Sequence, residues 1–295
     1  MTSISNPFPE NGSSVGAVSK GNTLGTNEHV DAWLTYLAPM STKPFTHKYA
    51  PSASEPQRSG HDFPCKVKIR NGRRSAKGFS IDKEGFELVD FPTRVTHFYD
   101  ESEIKSIYYP EITHQIKRLT GAARVIISNH IVRAAGRQLR ESTSTQGPSW
   151  RVHNDFTTSS APRRVRDLLG EAEAERLLQY RFAVINVWRS LITPLKHMPL
   201  ALCDAESVQL NDLVTTDLIL RGRVSETYRL NYNADHRWYY FPDIQQDEAI
   251  LIKCYDTDSR RARFTPHAAF DDPATPPDAP PRESIEVRTF AFFEA

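Results

Sequence analysis

Phe182-Ala183-Val184-Ile185-Asn186-Val187-Trp188-Arg189-Ser190-Leu191 is a run dominated by β-branched and aromatic side chains, and it opens the half of the chain that decides the fold. Such a composition, bounded by polar turns, reads as a strand. Further runs of the same kind follow: Leu200 to Val208, Ser225 to Tyr232, Arg237 to Phe241, Ala249 to Tyr255, Ala262 to Phe270 and Glu283 to Phe293. Turn-forming residues separate them, and the Pro-rich loop Asp271 to Pro281 joins the last two. Short strands in series, without helical periods between them, predict a sandwich or barrel rather than an alternating β/α fold.

Working back from Phe182, residues 161–181 have a helical period, with Leu168, Leu169, Ala172, Leu177, Leu178 and Tyr180 as the apolar stripe. Ala123 to Arg133 is apolar and β-branched and reads as a buried strand, followed by a polar stretch over 139–148. Between Asp100 and Leu119 isoleucines recur at helical spacing; Pro110 predicts a kink, and Gly121 ends the block as a C-terminal glycine does. Gly85 to Phe91 and Cys65 to Arg70 read as strands, and 38–64 as Pro/Ser/His-rich loop. Glu28 to Leu37 reads as a short helix with Val30, Trp33 and Leu34 on one face, and 1–27, rich in Ser, Gly, Asn and Thr, as a flexible tail. The expected organisation is thus a tail over 1–27 and one mainly β domain over 28–295 with flanking helices and a helical N-terminal part.

With 295 residues, 39% hydrophobic and 25% charged, the chain has the composition of an ordinary globular protein. A formal charge of +1 leaves no footprint for nucleic acid or an anionic membrane surface. The basic clusters Arg73-Arg74 and Arg163-Arg164-Val165-Arg166 are short and read as solvated surface. Three scattered cysteines (Cys65, Cys203, Cys254) argue against a disulfide framework and for a reducing, cytoplasmic setting. No CxxC pair suggests a thiolate zinc site, and no Gly-x-Gly-x-x-Gly suggests a dinucleotide or methyl-transfer cofactor. No apolar h-region and no apolar run long enough to span a bilayer are present.

One stretch carries chemistry: Trp150-Arg151-Val152-His153-Asn154-Asp155-Phe156-Thr157. On a strand, residues two apart share a face, so His153 and Asp155 would aim an imidazole and a carboxylate at one point. A second histidine from far along the chain completes the facial triad of non-haem Fe(II) oxygenases. His267 is the best candidate. The triplet by itself is weak evidence, since ten histidines make a chance match expected, and His29-Val30-Asp31 is a second instance. On the helix expected at 28–37, however, His29 and Asp31 would point to different sides. Three protein ligands leave three positions open, two for a 2-oxo acid and one for O2. The far carboxylate of that acid needs a fixed cation; Arg282 (with Ser284 on the same face) and Arg288 both qualify, Arg282 ranking ahead. Asn129, His130 and Arg133 interrupt an apolar strand with polar groups that need partners, and Arg189 does the same in its own; all four are candidates for a substrate pocket or for a structural network. The aromatic run Trp238-Tyr239-Tyr240-Phe241 reads as core.

Several blocks together resemble one known family: His153-Asn154-Asp155, Asn186 to Arg189, Pro199 to Asp204, His236 to Pro242, Asp247 to Asp256, Pro266 to Pro273 and Arg282 to Arg288. The chain from about 85 to 293 looks like the Fe(II)/2-oxoglutarate-dependent oxygenases that include the cephamycin 7α-methoxylation hydroxylase, fungal gibberellin-desaturase-like proteins and fungal meroterpenoid endoperoxidases. The resemblance implies a double-stranded β-helix (jelly-roll, cupin-like) fold and an oxidoreductase using Fe(II), 2-oxoglutarate and O2. It implies ferryl hydrogen abstraction from a small secondary-metabolite intermediate, ending in hydroxylation, desaturation, ring formation or oxygen insertion. His153, Asp155 and His267 would be the iron ligands, and the Arg282 to Arg288 block would hold the far carboxylate. Where members of the family often carry aspartate before the histidine of the early strand, this chain has Asn129. A zinc hydrolase and a metal-free jelly-roll binding module stay open as alternatives, as does association with a second copy or a pathway enzyme. Substrate identity rests with loops 38–64, 139–149 and 209–224, whose polarity is not decisive.

Overall fold

Burial alternates residue by residue over 29–37, the mark of a strand with two unlike faces, whereas 182–190, 248–256 and 283–292 are buried at nearly every residue, as strands covered on both sides are. The computed structural model describes residues 27–49, 55–143 and 145–294, so the tail expected over 1–27 lies, up to residue 26, outside the described residues. The strands are β1 (His29–Leu37), β2 (Phe45–His47), β3 (Asp62–Asn71), β4 (Phe86–Asp90), β5 (Arg124–Ala134), β6 (His153–Asn154) and β7 (Phe182–Ser190). They continue as β8 (Leu200–Cys203), β9 (Leu213–Leu220), β10 (Arg223–Leu230), β11 (Trp238–Tyr240), β12 (Glu248–Asp256), β13 (His267–Ala269) and β14 (Glu283–Phe292). They form a nine-stranded sheet, β1-β3-β11-β8-β13-β6-β10-β9-β2, and a five-stranded sheet, β4-β12-β7-β14-β5.

The two sheets face each other across one core. Phe290 and Phe292 of β14 pack there against Phe182, Val184 and Trp188 of β7 and Leu200 and Leu202 of the larger sheet. The alternate residues Ile285, Val287 and Ala291 point the other way, into a second cluster with Ile112 and Ile116 of the helix Tyr109–Thr120. This mainly β jelly roll with flanking helices is the fold class expected from the sequence.

Four local expectations are corrected. Residues 29–37 form a strand, not a helix: Val30, Ala32, Leu34 and Tyr36 are buried, while Trp33 is 62% exposed. Period two, not 3.6, governs that segment, so the N-terminal part is not helical. The helix over 161–181 breaks at Gly170 into Ser160–Leu169 and Glu171–Leu178. The stretches 38–64, 139–149 and 209–224 are not plain loops, since they hold β2, the start of β3, most of the helix Arg137–Thr143 and all of β9. β9 escapes a sequence reading because its inner residues face a cavity rather than core, which leaves the strand mostly half-buried. Fourth, the basic pairs are not simply solvated: Arg73 bonds Glu248 at 2.8 Å, and Arg164 lines the cavity described below.

The irregularity expected at Pro110 is a π-helical turn, Ile104–Tyr108, immediately before the helix in which Pro110 occupies the first turn. Gly121 caps that helix with φ 74° and donates its N–H to Lys117 O. Gly85 has a different duty. Its φ of 87° is left-handed, and a Cβ there would overlap Thr265 Oγ1, which donates to Gly85 O at 2.9 Å. Gly85→Ala is therefore expected to destabilise the protein by about 1–3 kcal/mol, as overpacking does. The same change would move Thr265, two residues before His267, so a melting curve and an iron titration on one sample check both effects.

Candidate metal centre and its cavity

β6 is only two residues long, yet it lies between β13 and β10, with His153 paired to His267 on one side and to Arg229 on the other. Directly opposed residues on antiparallel strands bring their side chains within about 5 Å. The histidine from the far end of the chain thus arrives as a cross-strand neighbour, with ring centroids 4.6 Å apart. Asp155, two residues beyond His153, turns to the same point, and its Oδ1 is 3.6 Å from His153 Nε2. One ligand atom from each of His153, Asp155 and His267 lies within 4.8 Å of the others.

The donors are presented as a metal requires. His153 Nδ1 is 2.7 Å from Arg151 O and His267 Nδ1 is 3.0 Å from Thr265 O. A carbonyl can only accept, so each Nδ1 carries the proton and each Nε2 presents its lone pair. His267 Nε2 is buried and has no hydrogen-bond partner. An orphaned buried nitrogen is costly, and a metal ion is the partner that this donor set fits. Burial, with His267 alongside, pushes the His153 imidazolium down to about 3, which keeps that ring neutral. Burial alone would raise the Asp155 carboxyl; Arg288, His153, His267 and the Asn186 amide together outweigh it and hold the group well below the carboxylate range.

Asp155 is clamped from behind. Arg288 Nε and Nη2 donate to its two oxygens at 3.1 Å each, and Asn186 Nδ2 donates to Oδ2 at 2.6 Å. Asn186 and Arg288 are cross-strand partners on β7 and β14, so two sheet positions fix the carboxylate's rotation. Asn154, the middle residue of the triplet, points away and is fully buried. Its amide donates to Phe156 O and Cys254 O and accepts from Thr265 N, stapling β6 to β12 and to the His267 approach. The roles of Asn186 and Asn154 were missed in the sequence; an uncharged amide inside an apolar run was their one visible signal.

The two arginines separate clearly. Arg288 is committed to Asp155 and to Glu286, 2.9 Å away. Arg282 is 2% exposed; Nε donates to Ser284 Oγ at 3.2 Å, Nη1 donates to Met198 O at 2.9 Å, and the guanidinium lies 4.9 Å from the Trp188 ring centre. No carboxylate of the described residues is within ion-pair distance of it. Burial, with the Arg133 cation nearby and Glu286 offsetting only in part, lowers its pKa.

A cavity of about 600 Å³ opens on His153 and Asp155. One wall is β9 (Thr216, Leu218, Leu220), another is β5 (Asn129, Ile131, Arg133). A bulge in β5 opposite Arg288 and Thr289 leaves Ser128 without a partner there, and its Oγ accepts from Arg164 at 3.1 Å. Of the four pocket candidates, Asn129 and Arg133 line the cavity. His130 points to the opposite face and bonds Tyr109 OH at 2.7 Å. Arg189 is wholly buried; it donates to Tyr108 OH at 2.9 Å and to the carbonyls of Gln246 and Phe91, tying β7 to neighbouring loops. Trp238, Tyr240 and Phe241 are core, as expected. His29 and Asp31 lie together on the outer face of β1, where no further His, Cys, Asp or Glu completes a cluster among the described residues. That triplet is set aside by its face and not by a helix.

Comparison with known proteins agrees with this geometry. The family model described as "Oxidoreductase/YMDC permease-like domain" matches residues 34–292. The chain is 38% identical over 253 residues to the hydroxylase/desaturase efuI of Hormonema carpetanum, covering 77% of this chain and 83% of that protein. It is 33% identical to the alpha-ketoglutarate-dependent dioxygenase phiK of a fungal species, covering 90% of this chain and 96% of that one. Among solved structures, the iron and alpha-ketoglutarate-dependent endoperoxidase NvfI superposes with a TM-score of 0.81 at 26% identity, over 92% of this chain and all of that one. The chain belongs to the Fe(II)/2-oxoglutarate-dependent oxygenase family of these hydroxylase/desaturases and dioxygenases.

Proposed function

We propose that this protein, over residues 28–295 as one domain, is an Fe(II)/2-oxoglutarate-dependent dioxygenase that oxidises a small natural-product intermediate. His153, Asp155 and His267 would be its metal ligands, and Arg282 with Ser284 would anchor the far carboxylate of 2-oxoglutarate. The observation that carries the reading is the His267 Nε2, buried and unpartnered beside a neutral His153 and a clamped Asp155. When bound, Fe(II) with 2-oxoglutarate and O2 supplies an oxidation of substrate C–H bonds coupled to formation of succinate and CO2.

The chain's own residues do the rest. Arg151 and Thr265 carbonyls fix the histidine tautomers, Asn186 and Arg288 fix the carboxylate, and β5 and β9 wall off the space for the substrate. Among the described residues Asp155 is the one carboxylate lining the cavity, so no second carboxylate stands there as the general base a zinc hydrolase would use. No helix among the described residues is long and apolar enough to cross a membrane, in keeping with a cytoplasmic placement.

Without oxygen, Fe(II) plus 2-oxoglutarate is expected to give a weak visible charge-transfer band, and admitting air should release succinate. Tight binding of one Zn(II), with neither band nor succinate, would sink the reading. Asn186→Ala is expected to weaken iron binding by about 10–100-fold, the usual cost of losing an outer partner of a ligand. Fe(II) titration followed by the same band measures it.

A further inference from the structure

Resting on that reading, the charge of the cavity identifies the class of substrate. Seven of its lining side chains are lysine or arginine and one, Asp155, is acidic. Most of these cations have carboxylate partners. Arg151 and Arg229 share Asp62, at 2.8 and 3.6 Å. Arg223 and Arg164 share Asp167, at 2.8 and 3.9 Å. Arg288 holds Asp155 and Glu286. Two are left over: Lys48, just past β2, and Arg133 on β5.

Among the described residues no carboxylate lies within ion-pair distance of Lys48 or Arg133. Arg133 is half-buried and spends Nη1 on neutral oxygens, Gln146 Oε1 at 3.3 Å and Gly147 O at 2.9 Å. Lys48 keeps an exposed surface, yet burial and then the nearby Arg133 cation disfavour its charge, which Asp155 and Glu286 offset only in part. Two like charges facing one cavity without a counter-ion raise the free energy of the empty protein, and an anion between them relieves it.

The co-substrate does not account for both. A divalent metal balances Asp155 and the near carboxylate of 2-oxoglutarate, and the far carboxylate has the unpaired Arg282. Around the two remaining cations the lining is mixed, with Ile131, Leu218 and Leu220 supplying apolar surface among Thr46, Asn129, Gln146 and Ser149. We propose that the substrate is an organic acid, an apolar body carrying a carboxylate that docks against Lys48 and Arg133 while the body lies along β9 over the metal. These residues then select the substrate and set which carbon faces the metal.

The test uses the whole protein loaded with Fe(II) and 2-oxoglutarate without oxygen, and a matched probe pair, 2-naphthoate and methyl 2-naphthoate. By calorimetry the acid should bind about tenfold or more tightly than the ester, as a charge-assisted contact implies. Lys48→Met and Arg133→Gln should each shrink that preference, and the double variant should remove it, with the charge-transfer band intact throughout. Acid no tighter than ester, including binding of neither, overturns the proposal. So does loss of the band on adding naphthoate, which would put the acid on the metal. Arg133→Gln weakening 2-oxoglutarate as much as Arg282→Met would reassign Arg133 to the co-substrate and also overturn it. Absence of the band in the unmodified protein would instead be failure of the underlying oxygenase reading.

Discussion

His267→Ala is expected to remove the charge-transfer band and to weaken Fe(II) binding by more than about 100-fold, beyond the cost of losing an outer partner. The substitution deletes one of three protein ligands. What stays behind, one imidazole and a carboxylate already clamped by Arg288 and Asn186, cannot close a facial site. Folding should be little affected. His267 opens β13, where its backbone pairs with Leu202 and His153 whatever the side chain. Its Nε2 has no protein partner to lose, so alanine takes away an orphaned polar atom along with the Nδ1 bond to Thr265 O and some packing. Circular dichroism and a melting curve on the iron-free variant separate the two effects. An unchanged band in the variant would take His267 out of the site.

Arg282→Met is expected to weaken 2-oxoglutarate by about 30-fold to several thousand-fold, the range for truncating one partner of a buried charged pair (about 2–5 kcal/mol). The same change should leave the protein without co-substrate as stable or more stable. Arg282 is a buried cation with no acid beside it, and replacing such a group with an apolar one of similar size relieves desolvation. Those opposite signs distinguish an anion site from a structural arginine, whose loss would lower stability and leave co-substrate affinity alone. The check is the dissociation constant of 2-oxoglutarate from the band, with a melting curve in its absence. Arg288→Met should behave differently. It strips the bidentate partner from Asp155, so metal binding falls along with co-substrate binding.

The sequence carried the fold class because that information is local. β-branched runs between turn residues specify strands, and from β7 onward every strand but β9 overlaps a run read from the sequence, with β8 and β13 shorter than their runs. β1 was misread because Val30, Trp33 and Leu34 fit a helical face as well as Val30, Ala32, Leu34 and Tyr36 fit a strand. A nine-residue segment cannot choose between those periods without knowing what covers it. β2 and β9 were lost for a related reason. Strands that wall a cavity expose polar and apolar residues on the same inner face, so the pattern that marks a core strand is absent.

The site was legible as a set of residue types, and its geometry was not. His153 and Asp155 share a face because of strand period, which sequence spacing determines. That His267 lies opposite His153 depends on β13 and β6 becoming neighbours, a long-range pairing that no local pattern encodes. Arg282 and Arg288 share the inner face by that same period, and the sequence ranks Arg282 only slightly ahead. Only tertiary structure gave Arg288 the Asp155 carboxylate, beside the Glu286 that strand period already places next to it, and left Arg282 with neutral oxygens and the Trp188 ring. His130 and Arg189 were candidates for the cavity on polarity alone. One faces the wrong side of β5, and the other satisfies loop carbonyls from inside the core. Sequence determines which groups can do the chemistry and which face of a strand they occupy. Which of them meet, and which charges are left without partners, is decided when distant strands pair, because electrostatics and metal coordination act through space and not along the chain.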